Sequence, residues 1–383
     1  MSGRIILVGA GELMSTMSGQ HRVVLNRLQA PPRPVFLDTT AGFETNVDTI
    51  VAKAVEYYDH HLQTELRVAR YRHRERDTAA DLAAAVAEIR AANLIFAGPG
   101  SPTYAVKQWT GSPVWDAVVE RFEAGADVFF ASAASITLGR HVLPVYEIYK
   151  AGEDPYWADG LDLLGRFGLK LAVVPHFNDN SGGENYDSRF CYMGAHRFDL
   201  LQQRLPADVA ILGIDAYTGI VFDPATQEAT VSGQGGVSLI GDGAERRLES
   251  GESASFSAFS SSARGFVRTY DESRIFGGYA FSDNPSDSTL TDGFGPVLSY
   301  VEALPSLKQN DRIDLMARIQ GLRDQIAMAP STDEGPLVEL VLQLREALRT
   351  QKQFATADFA RKALEDLGYE IGDTPEGSTW KRP

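Results

Sequence analysis

Three short stretches hold the residue types that amide-bond chemistry needs. The first is Val128-Phe129-Phe130-Ala131-Ser132-Ala133-Ala134, where an apolar run gives way to small residues and then to a helical pattern. A serine at such a junction sits on a sharp strand-to-helix turn with its hydroxyl exposed at the carboxyl edge of the sheet. The N–H groups just beyond it are free to receive an oxyanion. A plain helix cap is the competing use of the same serine. The second stretch is Ala172-Val173-Val174-Pro175-His176-Phe177, which places a histidine just past another apolar run. A neutral imidazole there can take a serine proton. His21, His60, His61, His73, His141 and His196 lie in or beside helical or charged segments and read as surface or packing residues. The third is Ala97-Gly98-Pro99-Gly100-Ser101, where glycine allows the backbone close to a ligand, so that Gly98 or Gly100 can donate a second N–H.

A histidine that acts as a base is oriented by an acid, and three carboxylates are candidates: Glu147, Glu184 and Asp215. The residues alone do not choose among them. Gly9-Ala10-Gly11-Glu12 begins like a dinucleotide fingerprint but lacks its third glycine, and it reads as a tight turn.

The elements that must position these residues are an alternation of strands and helices. Arg4–Val8, Pro34–Leu37, Asn93–Phe96, Asp127–Ala131 and Lys170–Val174 are expected as buried strands. Asn46–His60, Ala79–Ala91, Pro113–Ala124 and Asp187–Arg204 are expected as the helices between them. This order predicts an α/β fold, a mostly parallel sheet with helices on both faces and a ligand site beyond the carboxyl ends of its strands. After Pro206, short runs at Ala210–Gly213, Gly219–Phe222, Ala229–Ser232 and Val237–Ile240 suggest an antiparallel extension. Ser250–Arg264 and Phe281–Thr291 are expected as loops, and a helical period returns from Gln309 to Leu367.

The bulk properties limit the function classes. The 383-residue chain carries a net charge of −15, which disfavours nucleic acid as the main partner. One cysteine, Cys191, excludes an intramolecular disulfide and a four-thiolate zinc site. The chain enters the apolar run Arg4–Val8 without the length or cleavage site of a signal peptide, and no stretch has the length of a membrane span. A cytoplasmic protein is expected.

The order of glycine turn, strand–Ser–helix, Pro-His-Phe, Gly-Gly-Glu184…Arg189 and Gly-Ile-Asp215 resembles the serine-peptidase family of dipeptidase E and cyanophycinase, in the class I glutamine-amidotransferase-like superfamily. The resemblance spans roughly residues 1–240. It implies Ser132 as nucleophile, His176 as base, and an oxyanion hole from Ala133 with Gly98 or Gly100. It also implies Glu147 as the acid, since it follows Ser132 by about fifteen residues, where dipeptidase E has its acidic member. Glu184 and Arg189 fall on the segment implied to contact substrate. Two positions depart from the family. Phe130 and Ala134 replace both elbow glycines, and Ala216 stands where cyanophycinases place a glutamate, which makes dipeptidase E the closer mechanistic guide.

The last fifty or so residues, with Phe354-Ala355-Thr356-Ala357-Asp358-Phe359-Ala360-Arg361 and Leu367 to Trp380, resemble the C-terminal end of cysteinyl-tRNA synthetases. That segment has no basic excess and brings no synthetase active site. The expected organisation is a peptidase-like domain over 1–305 and a small helical domain over 306–383. The expected function is hydrolysis of small peptide amides through an acyl-enzyme, with no metal or organic cofactor and with self-association left open. The alternative is a hydrolase scaffold that has lost its chemistry and binds a partner.

Overall fold

The computed structural model describes residues 2–28, 30–181, 186–241, 244–260, 269–270, 342, 370–374 and 377–381. The chain divides into two compact units, Met1–Ala280 and Phe281–Pro383. The expected boundary at 305 and the expected loop Phe281–Thr291 lie outside the described residues, as does nearly all of the helical stretch to Leu367.

Strands β1 (Ile5–Val8), β2 (Pro34–Leu37), β3 (Arg67–Ala69), β4 (Leu94–Ala97) and β5 (Asp127–Ala131) form the parallel part of a nine-stranded sheet, in the order β1-β5-β4-β2-β3. Every residue of β1 and β5 is buried. Ile5 and Leu7 join Val128 and Phe130 in one core cluster, while Ile6 and Val8 join Phe129 and Ala131 in another. That division follows from the two-residue period of a strand, and it is why these strands read as continuous apolar runs. Helices α1 (Ser18–Asn26), α2 (Val47–Leu62), α3 (Ala79–Ala91), α4 (Pro102–Trp109) and α5 (Pro113–Glu123) connect them. Their starts follow from local chemistry: Thr78 and Asp81 form a reciprocal capping box, and Ser101 and Ser112 each cap a helix that opens on proline.

A second sheet of six strands runs in the order β13-β12-β9-β8-β6-β7, with β6 (His141–Val142), β7 (Ala158–Asp159), β8 (Leu171–Val174), β9 (Ala210–Ile214), β12 (Gly236–Gly241) and β13 (Ala244–Glu249). Helices α6 (Ala133–Thr137), α7 (Val145–Tyr149) and α8 (Gly194–Arg204) belong to this half of the chain. Strands β10 (Thr218–Asp223), β11 (Glu228–Gly233), β14 (Glu252–Ser255) and β15 (Thr269–Tyr270) extend the first sheet antiparallel from β1. The architecture is thus α/β with two mixed sheets, the first parallel from β1 to the β3 edge and antiparallel on the other side of β1.

Two expectations need correction. The serine-rich stretch from Ser250 is not simply a loop: β14 pairs with β11, and Phe256 and Phe259 are buried. Its small residues disguise a strand because Ala254 fills the core while Ser253 bonds to Thr230 across the ladder. The expected helix from Asp187 begins only at Gly194. In the second unit the described residues include an antiparallel hairpin, β16 (Glu370–Thr374) with β17 (Gly377–Lys381), beyond the helical stretch expected to end at Leu367.

Candidate active site

Strand β5 ends where Ser132 turns the chain into α6, and Ser132 has φ 51° and ψ −123°. A non-glycine residue there is strained, and such strain persists only where neighbours fix it. Three backbone hydrogen bonds do so. Ser132 N–H donates to Val8 O at 3.0 Å, Ser135 N–H to Ser132 O at 3.1 Å, and Ala134 N–H to Gly98 O at 3.2 Å. Ser132 lies at the N-terminus of α6, yet its side chain makes no capping bond. Its hydroxyl instead lies 3.1 Å from His176 Nε2. The replaced elbow glycines do not prevent this geometry. Neither Phe130 nor Ala134 has positive φ, and both side chains are fully buried. Only the serine itself takes the strained conformation.

His176 follows β8 and Pro175, and it too has positive φ, 49°. Its carbonyl accepts the N–H groups of Asp179 at 3.2 Å and Cys191 at 3.3 Å. Burial holds the imidazole below its usual pKa, while the nearby Asp179 carboxylate opposes this. The ring is therefore neutral near pH 7, as a base must be. With Nε2 accepting from serine, the ring proton belongs on Nδ1.

The glycine turn follows β4. Gly100 has φ 140°, and a Cβ there would fall 1.9 Å from Thr40 O, so only glycine fits. Among the described residues, the N–H groups of Gly100 and Ala133 donate to no backbone carbonyl. Beneath the turn lies Glu12. A Cβ on Gly98 would meet its Oε1 at 3.0 Å, and burial raises the Glu12 carboxyl pKa.

The three candidate acids are placed differently. Glu147 Oε1 accepts from Thr103 Oγ1 at 2.6 Å, and its Oε2 is buried without a hydrogen-bond partner. Asp215, at the end of β9, accepts from Gly236 N–H at 3.0 Å and pairs with Arg247. Glu184 lies outside the described residues. Among the described residues no carboxylate hydrogen-bonds to His176. Arg189 is exposed and bound to both Asp187 oxygens at 2.8 Å.

Two neighbours of His176 were not singled out from the sequence. Asp179 stands three residues after His176, a spacing that a search for nearby charge could have found. Tyr192 has its ring centre 5.9 Å from that of His176, and no sequence signal marks it. Among the described residues no cluster of His, Cys, Asp and Glu could hold a metal ion, and no helix is long and apolar enough to cross a membrane.

The site is thus a strained serine at a strand–helix junction of an α/β scaffold, with a histidine within hydrogen-bond reach. The chain has the fold of a peptidase from an acI-B1 Actinobacterium, with a TM-score of 0.56 and 23% identity over 67% of this chain and 98% of that one. A putative peptidase E from Listeria monocytogenes EGD-e aligns over 61% of this chain and all of that one, at 12% identity and a TM-score of 0.43. No family model matches the sequence. A separate, shorter similarity links the chain to cysteine–tRNA ligases. That of Thermococcus onnurineus is 38% identical over 69 residues, which are 18% of this chain and 14% of the ligase. That of Desulfovibrio desulfuricans is 51% identical over 45 residues, 12% of this chain and 9% of the ligase. The chain therefore spans only a small fraction of the length of these curated relatives.

Proposed function

We propose that this protein is a serine hydrolase that cleaves amide bonds of small peptides through an acyl-enzyme. The observation that carries the reading is the 3.1 Å approach of Ser132 Oγ to His176 Nε2, made by a serine held at φ 51°. The likeness to a solved peptidase supports the same fold, and the site geometry supports the chemistry.

In this reading Ser132 Oγ attacks the carbonyl carbon while His176 Nε2 takes its proton. The carbonyl oxygen becomes an oxyanion and is held by the N–H groups of Ala133 and Gly98 or Gly100. Collapse breaks the C–N bond, and His176 returns the proton to the departing nitrogen. Water then repeats the sequence on the ester, with His176 again as base. Proton transfer rests on the Ser132–His176 pair. Glu147 on Thr103 and Asp215 on Arg247 have other partners, and Asp179 supports the imidazolium through its charge.

The test is covalent labelling by a fluorophosphonate, with Ser132→Ala as control. Labelling of the native protein and loss in S132A are expected. A native protein that folds and takes no label would overturn the reading in favour of a binding protein on this scaffold.

A further inference from the structure

Phe190, Cys191 and Tyr192 have φ values of 59°, 57° and 67°. Three successive non-glycine residues in the left-handed region are unusual, because each brings its Cβ against the following carbonyl. The turn is fastened to the base itself. Cys191 N–H donates to His176 O at 3.3 Å, and Phe190 N–H to Phe177 O at 3.1 Å. The Phe190 ring stacks on Phe198 at 4.2 Å. A strained turn built onto a catalytic backbone points to the side chain it displays. That side chain is Tyr192.

Tyr192 lies beside His176 and stacks on Tyr149, with centres 5.3 Å apart and planes 21° apart. Tyr149 in turn meets Tyr186 at 5.6 Å, and the Tyr186 hydroxyl donates to Tyr192 O at 2.5 Å. All three tyrosines are partly exposed.

The chemistry limits which part of a substrate faces His176. His176 Nε2 must deliver its proton to the departing nitrogen, so the leaving group lies on the histidine side of Ser132. The acyl oxygen lies toward the glycine turn. The Tyr192 ring centre lies 5.9 Å from that of the imidazole, within reach of a leaving residue that extends past His176. The side chain of such a residue meets aromatic surface there, and Lys150 Nζ stands 4.5 Å from the Tyr149 ring centre, which disfavours a second cation.

We propose that Tyr192, stacked on Tyr149, forms the leaving-group subsite and selects amides whose departing amine carries an aromatic or large apolar side chain. This rests on the serine-hydrolase reading and names its substrate class. Burial of such a side chain against aromatic rings corresponds to a preference of about ten- to a hundredfold over glycine.

The experiment uses the reverse of amide cleavage. Ser132 is acylated by p-nitrophenyl acetate, releasing p-nitrophenol, and the acetyl-enzyme is then divided between water and an added amine. The amine nitrogen attacks the ester carbon and gives its proton to His176, and Ser132 leaves with that proton. Phenylalaninamide, leucinamide, glycinamide and lysinamide are compared by the N-acetyl product each forms relative to acetate. Phenylalaninamide should exceed glycinamide at least tenfold, with leucinamide between them and lysinamide low. Tyr192→Asn removes the ring while tolerating the left-handed backbone, and it should lower the phenylalaninamide-to-glycinamide ratio at least fivefold. Tyr192→Phe should retain the ratio. Tyr149→Leu, on an ordinary helix, should also lower it and does not disturb the strained turn. Equal partition among the four amines, or an unchanged ratio in both Y192N and Y149L, overturns the subsite while leaving the hydrolase reading standing. Absence of a Ser132-dependent p-nitrophenol burst overturns the hydrolase reading and the subsite with it.

Discussion

The Ser135 hydroxyl donates to the Ser132 carbonyl at 2.6 Å, doubling the bond that Ser135 N–H already makes to the same oxygen. This pair of bonds holds the far side of the strained elbow. Ser135→Ala removes one of them and should cost about 1 kcal/mol of stability, the usual net worth of such a bond. Because the elbow conformation sets the direction of Ser132 Oγ, the rate of fluorophosphonate labelling should also fall. Denaturant titration and labelling kinetics check the two effects. An unchanged labelling rate would mean that the strand and helix ends suffice to hold the turn.

The pH profile follows from the burial of His176. Its pKa lies below the ordinary 6.5, and a base works only when neutral. The acid limb of kcat/KM should therefore have its midpoint below pH 6.5. Asp179 opposes the shift, so Asp179→Asn should move the limb to still lower pH. A limb above 6.5, or one that Asp179→Asn moves upward, contradicts this electrostatic account.

The two turn glycines should respond unequally to alanine. At Gly100 the added Cβ would meet backbone, 1.9 Å from Thr40 O, so the chain must shift and carry its N–H away. At Gly98 the neighbour is a side-chain end, Glu12 Oε1 at 3.0 Å, which can yield. Losing one oxyanion donor lowers kcat by roughly a hundred- to a thousandfold. Gly100→Ala is expected to show a loss of that size, and Gly98→Ala a much smaller one. Turnover of both variants, compared at equal folded fraction, is the measurement.

Glu147 offers a sharp test because its Oε1 already has Thr103 as partner. An acid that orients the base typically contributes about ten-thousandfold to turnover. Glu147→Gln, which keeps an acceptor for Thr103, is expected to lower kcat less than about tenfold, well short of that contribution. A loss of thousands in a folded variant would show that Glu147 reaches His176 during the reaction.

His21 makes stability depend on pH in a predictable direction. It is fully buried, stacked on Phe129 at 4.3 Å, and its pKa is lowered from 6.5 to about 4, first by burial. Below pH 6.5 the unfolded chain takes up a proton that the native ring refuses until about pH 4. Stability is thus lost between those values, by about 3 kcal/mol in full. His21→Gln lacks this titration. The urea midpoint should fall more steeply from pH 7 to pH 4.5 in the native protein than in H21Q.

Much of the frame was legible because buried strands announce themselves. Pro34–Leu37 and Asp127–Ala131 are fully apolar or nearly so, and their bounds agree with the observed strands. Helix α3 was likewise bounded by its alternating small and apolar residues. Short helices were harder. Pro102–Trp109 and Val145–Tyr149 are too brief for a helical period to appear, and both lie at the site. The strand Glu252–Ser255 was hidden by serines whose burial depends on a partner strand.

The candidate nucleophile and base could be found from sequence because each follows an apolar strand, although β5 and β8 belong to different sheets. Their residue types and local order are properties of single segments. The bond between them is not: Ser132 and His176 are separated by 44 positions and meet only because β5 and β8 deliver them to one place. The choice among acids was open for the same reason. Glu147 and Asp215 look equally suitable in a linear text, and their actual partners, Thr103 and Arg247, come from elsewhere in the chain. The tyrosine stack beside His176 also depends on a left-handed turn that no residue in Phe190-Cys191-Tyr192 favours by itself. Local pattern and residue type determined which groups could do chemistry. Tertiary structure decided which of them touch, because hydrogen bonds and ring contacts require positions that only long-range packing supplies.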